Sequence, residues 1–153
     1  MRPKKVILCV DDNEQELNVL KFMLATNGYR VISAESGSEA VQAFSESAID
    51  LVLADYSMPK MSGAQLVRRL KQIAPQVPMI LLGDPQRIDA NDADAVLAKK
   101  HCSAQELLER IKAMTTRSRI RKKFLTPAEV AKSLGAPTER LAELLQIAKE
   151  NVA

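Results

Sequence analysis

The sequence predicts an α/β fold in which an open parallel sheet carries helices on both faces. Three observations predict it. Five short aliphatic runs, "KVILCV", "YRVISA", "DLVLAD", "VPMILL" and "AVLA", are apolar without strict alternation, the pattern of strands buried on both faces. Segments of helical period stand between most of them. Aromatic residues make up only 3% and Trp is absent, so the core must be built from Leu, Ile, Val, Ala and Met. At 153 residues there is chain for one domain with a sizeable core, with or without an appendage.

The first helix is marked by Leu17, Leu20, Lys21 and Leu24 and closes at Asn27-Gly28, a helix-stop signal. Ser36-Gly37-Ser38-Glu39 reads as a capping box opening the second, with Ala40, Val41 and Phe44 inward. Leu66, Val67, Leu70 and Ile73 mark the third, which Pro75 ends. Ser103-Ala104-Gln105-Glu106 is another capping box, before a helix with Leu107, Leu108, Ile111 and Met114. One link is thin. "GDPQRIDANDAD", between the fourth and fifth runs, holds a single large apolar residue, Ile88, and supports at most about two turns of helix.

The strand ends carry charge that a buried strand does not need. Asp11 and Asp12 end the first run, Asp55 the third and Lys99 the fifth. In open parallel sheets ligands bind beyond the carboxyl ends of the strands, and neighbouring strands lie about 4.8 Å apart, so these groups can converge. Three carboxylates would raise one another's pKa unless a cation intervened. Hard oxygen ligands with few protein contacts suit Mg2+, and Lys99 can add its own charge.

At these residues the chain resembles a receiver domain of bacterial two-component response regulators, over residues 4 to about 114. The matching stretches are "ILCVDDN", "DLVLADYSMPKMSG" and the lysine of "VLAKK", in that order. The resemblance implies a flavodoxin-like (βα)5 domain with a shortened fourth helix, and a signalling domain, not an enzyme. It implies that Asp55 accepts a phosphoryl group from a sensor histidine kinase. Asp11, Asp12, Asp55 and the backbone carbonyl of Ser57 would hold Mg2+, and Lys99 would contact the phosphoryl oxygens. Such transfer needs mainly positioning and charge neutralisation.

The departures from the family pattern cluster elsewhere. Gly83 stands where receivers carry a Thr or Ser hydroxyl at the end of the fourth strand. Val96 replaces the switch aromatic of the fifth, and Lys100 replaces the proline after the lysine. Phosphorylation is therefore expected to change the fourth-strand face less than usual. The Lys99–Lys100 peptide is expected to be trans, or else strained, since cis costs about 3 kcal/mol without proline. A trans peptide would move the Lys99 loop and loosen its reach.

Charge divides the chain near residue 115. Residues 1–114 carry 14 basic and 15 acidic side chains, net −1; residues 115–153 carry 8 and 4, net +4. Arg117 to Lys123 holds five basic residues in seven and reads, over 115–125, as a linker or an extension of the last receiver helix. Residues 126–153 predict a helix-turn-helix-like hairpin. Thr126-Pro127-Ala128-Glu129 caps its first helix, Gly135 turns it, and Leu141, Leu144, Leu145 and Ala148 stripe the second. Glu139, Arg140, Glu143, Lys149 and Glu150 leave that second helix at −1, so a homodimer or partner-protein contact is favoured over DNA. The alternatives are a phosphorylation-independent pseudo-receiver scaffold and a small DNA-binding transcriptional regulator using the hairpin.

Other classes are disfavoured. No apolar run approaches the ~20 residues of a membrane span, and the basic-then-apolar start reads as a first strand, not a signal peptide. Cys9 and Cys102 read as reduced thiols of a cytoplasmic protein. His101 beside Cys102 cannot close a metal site. Met23, Met58, Met61, Met79 and Met114 read as gap-filling residues of the core or the site rim.

Overall fold

Each aliphatic run forms a strand in the computed structural model, which describes residues 4–88 and 92–124, with side chains as far as 116. The strands are β1 (Val6–Val10), β2 (Arg30–Ala34), β3 (Leu51–Asp55), β4 (Met79–Gly83) and β5 (Ala95–Ala98). They pair in parallel in the order β2-β1-β3-β4-β5, a flavodoxin-like sheet. Order follows burial. The interior strands β1, β3 and β4 are buried almost throughout, whereas the edge strands β2 and β5 are half-exposed.

Alternate residues of each strand feed two cores, as a period of two requires. Leu8, Val10, Val52, Ala54 and Leu81 face α2 (Gly37–Glu46) and α3 (Gly63–Ile73), meeting Phe44, Leu66, Val67 and Leu70. Ile7, Cys9, Leu53, Ile80 and Leu82 face α1 (Glu14–Thr26) and α4 (Ala104–Phe124), meeting Leu17, Leu24, Leu107, Ile111 and Met114. Ile73 ends α3, as its spacing predicts, but at 55% exposure it lies off the buried stripe, one residue before the Ala74 cap.

The caps explain the helix ends. Asn13 caps α1, accepting from Gln15 and Glu16 N–H. At the other end Gly28, at φ 90°, allows a Schellman closure in which Tyr29 N–H donates to Leu24 C=O and Gly28 N–H to Ala25 C=O. Ser36 caps α2, but Glu39 accepts from Glu35 N–H at 2.9 Å, one residue farther back than the expected reciprocal bond. Ser62 and Gln65 form a full capping box on α3. Ser103 accepts from Glu106 N–H at the start of α4, which continues through Phe124.

The shortened helix expected between β4 and β5 is only a turn in the described residues. Ile88 N–H donates to Asp84 C=O and the Asp84 carboxylate accepts from Gln86 N–H. Pro85, the polar sequence and the lone Ile88 leave no apolar stripe to hold a helix there. The opposite end of this strand pair is tied: the Asp94 carboxylate accepts from Lys71 Nζ at 2.7 Å and Met79 N–H at 2.8 Å. Lys71 also donates to the Pro75 and Val77 carbonyls.

The chain divides into units at residues 1–115 and 116–153. The expected hairpin of residues 126–153 lies outside the described residues. No helix among those described is long and apolar enough to cross a membrane.

Candidate functional site

The sheet order reverses direction between β1 and β3, and the charged residues gather beyond the carboxyl ends at that point. Asp11 follows β1 directly. Its N–H donates to Ala34 C=O at 3.1 Å, so β2 fixes its backbone, and its side chain is 1% exposed. Asp12 comes next and is exposed. Asp55 is the last residue of β3 and is buried; the Ser57 N–H donates to its carboxylate. Lys99 follows β5, its N–H donating to Gly83 C=O at 3.1 Å. Carboxylate oxygens of Asp11, Asp12 and Asp55 lie within 4.8 Å of one another. The sequence-predicted acids are therefore together.

Lys99 reaches all the way in. Its Nζ is 3.1 Å from Asp55 Oδ2 and 3.3 Å from Asp11 Oδ2. No described peptide is cis. The trans Lys99–Lys100 bond thus coexists with full reach, and the expected loosening does not occur. A third anion is part of the reason: Glu16, in the first turn of α1, also pairs with Lys99.

Burial shapes the electrostatics. It pushes the Asp11 carboxyl up, against the Asn13 N–H bond and Lys99, while Asp55 adds repulsion. Burial likewise pushes Asp55 up, against Lys99 and the Ser57 N–H, with Asp12 adding to the rise. For Lys99, burial alone would lower the ammonium pKa. Hydrogen bonds to Glu16 and Asp55, and the charges of Asp55 and Asp11, outweigh it, so the net shift is upward. Such crowded carboxylates are an arrangement a divalent cation would relieve, and three hard oxygen donors fit Mg2+.

The degraded positions are structurally filled. A Cβ on Gly83 would stand 2.5 Å from Ile88 Cδ1 and 3.0 Å from Tyr56 Cβ, so Ile88 lies where a side chain would begin. Val96 is partly buried against the core cluster that includes Leu81 and Ile88, and Lys100 and His101 are exposed in the turn after β5. Beside them opens a cleft of about 670 Å³, lined by Asp55, Ser57, Gly83, Arg87, Lys99 and His101 among others. Sequence reasoning missed Asn13 as the cap, Ile88 as the filler and Glu16 as a partner of Lys99. The Asn three residues before a Glu was a visible capping signal, but it points to the helix end and not to Lys99.

Comparison with known proteins agrees with this geometry. The family model described as response regulator receiver domain matches residues 7–112. Transcriptional regulatory protein GlrR of Escherichia coli (strain K12) is 37% identical over 76 residues, covering 50% of this chain and 17% of that protein. The uncharacterized transcriptional regulatory protein YkoG of Bacillus subtilis (strain 168) is 36% identical over 112 residues, 70% of this chain and 49% of that one. The chain therefore spans half or less of these curated relatives. The crystal structure of a response regulator receiver domain protein from Clostridium thermocellum superposes with a TM-score of 0.70 at 32% identity, covering 76% of this chain and 98% of that one.

Proposed function

The chain belongs to the response regulator receiver domain family, and from that premise we propose that Asp55 accepts a phosphoryl group from a sensor histidine kinase. One observation carries this reading: a buried carboxylate at a strand end, 3.1 Å from a lysine ammonium and grouped with two further aspartates. An Asp55 carboxylate oxygen would attack phosphorus of the kinase's phosphohistidine. The P–O bond forms as the P–N bond breaks, and the imidazole nitrogen leaves with the electron pair. The attack requires ionised Asp55. Burial opposes ionisation, while Lys99 and the Ser57 N–H favour it.

The residues present fit Mg2+. Asp11, Asp12 and Asp55, with the carbonyl of Ser57, would hold it, and when bound it supplies neutralising charge beside the transferring group. Lys99, beside Asp55, would meet the added phosphoryl oxygens with its positive charge. Asp11, fixed by the Ala34 carbonyl and by Asn13 N–H on its Oδ1, provides a rigid second carboxylate.

Altered protein contacts then carry the signal. Gly83 with Ile88 packed on it, and Val96, leave the usual hydroxyl and ring out of the relay. The experiment is direct. A small acyl phosphate with Mg2+ should phosphorylate the wild type on Asp55, mapped by mass spectrometry, and Asp55→Asn should remain at background. Label elsewhere in the wild type, or undiminished label in the variant, refutes the assignment.

A further inference from the structure

We propose that Glu16 is a positioning residue for Lys99: its carboxylate holds the ammonium over Asp55 in a chain where no proline follows the lysine. Its bearing on phosphoryl uptake rests on the function proposed above. Three features of the structure lead to it.

Glu16 is free to do this because its ordinary task is already performed. A Glu three residues after a helix cap commonly accepts from the cap's own N–H. Here Asn13 N–H donates to Asp11 Oδ1 at 3.0 Å instead, while Glu16 N–H is satisfied by Asn13 Oδ1 at 3.1 Å. The Glu16 carboxylate turns to Lys99.

Lys99 in turn needs an outer restraint. A lysine is a compact charge on a flexible four-carbon stem with three donors. The ion pairs of Lys99 are with Asp11, Asp55 and Glu16, two buried and one 46% exposed. Its own side chain is 29% exposed, so it has an open path to water. After it come Lys100 and His101 in a turn closed by Cys102 N–H on Ala98 C=O at 2.8 Å. That turn fixes the backbone and leaves the stem to be aimed by its anions. Glu16, on the solvent side, closes the route outward.

The charge balance agrees with the geometry. The Lys99 hydrogen bond holds the Glu16 carboxyl below the usual range. Among the influences that keep Lys99 protonated, the bond to Glu16 leads.

The test compares the wild-type chain, Glu16→Gln and Glu14→Gln. Glu14 lies in the same helical turn with the same charge and forms no ion pair with Lys99 among the described residues. Acetic anhydride labelling without metal, read at each lysine by mass spectrometry, should modify Lys99 about two- to five-fold faster in Glu16→Gln, the range of a half-exposed ion pair. Glu14→Gln should match the wild type. Uptake from a small acyl phosphate with Mg2+ should slow by a similar factor in Glu16→Gln alone. Glu16→Asp, which keeps the charge but shortens the reach, should fall between. Equal Lys99 labelling in the two glutamine variants overturns the proposal, as does faster labelling with unchanged uptake. A wild type that takes up no phosphoryl group overturns the proposed function instead, and the labelling ratio alone then decides whether Glu16 holds Lys99.

Discussion

The ends of β1 and β3 and the start of the link between β4 and β5 lie at the same, carboxyl-end side of the sheet but are built differently. At the first, Asp11 and Asp55 are buried, backbone-bonded and matched to a lysine, and each departs from a strand buried on both faces. At the second, a glycine ends the strand, an isoleucine packs on it, and a polar turn replaces a helix. The two regions therefore depart from the family pattern separately: under the function proposed above, the residues that would hold a phosphoryl group are kept while those that would report it are replaced.

Glycine substitutions test the contrast most strongly. A Cβ on Gly63 would lie 2.3 Å from the Asp55 carbonyl oxygen and 2.8 Å from Tyr56 Cα, neither of which can yield without moving the β3 end. Gly63→Ala should cost about 3 kcal/mol in urea unfolding, the upper end for overpacking. Gly83→Ala meets the tip of Ile88 instead and should cost about 1 kcal/mol. Adding Ile88→Ala should make the pair non-additive, since the two share one contact. Equal costs for the two glycine variants would erase the distinction between the regions.

Metal linkage gives a smaller effect confined to the acidic end. Mg2+ at ten times its Kd should stabilise the wild type by about 1.4 kcal/mol and leave Asp11→Asn far less responsive, read by melting temperature. The sign with pH follows from the raised carboxyl pKa values of Asp11 and Asp55. Their folded-state pKa exceeds the unfolded value, so their contribution is fully present below the unfolded pKa. It is lost as pH rises through the folded one. The metal-free protein should gain the most from Mg2+ above that window and little below it.

The smallest expected effect lies at the link. Beryllofluoride with Mg2+ should change amide exchange at Gly83 and at Ala95–Ala98 less than in a receiver with a full switch, because two differential contacts are missing. Large protection changes there would show that another route replaces them.

Much of this was legible in the sequence. Five unalternating aliphatic runs announced a parallel sheet, and acids at the ends of two of them marked the candidate site, because both signals are local. What escaped notice depends on contacts between distant segments. Glu16 and Lys99 meet only once β1 and β5 share a sheet, and nothing around "DDNEQE" names the partner. The packing of Ile88 over Gly83 needs the turn's path, which its polar sequence leaves open. Ile73 has helical spacing with Leu66 and Leu70, yet as the last residue of α3 it is 55% exposed, which spacing alone does not reveal.

The Asp94 tie staples the β4–β5 pair at its amino end. Asp94 anchors the start of β4 through Met79 N–H and receives Lys71 from α3, while its own N–H donates to Met79 C=O at 2.9 Å. The amino ends of both strands are thus clamped to the body of the domain. The far end is fastened too: β3 pairs with β4 along its length, Tyr56 N–H donates to Leu82 C=O, and Lys99 N–H donates to Gly83 C=O. With both ends of the strand pair stapled, the rim of the cleft beside Asp55 falls to the turn that starts at Asp84.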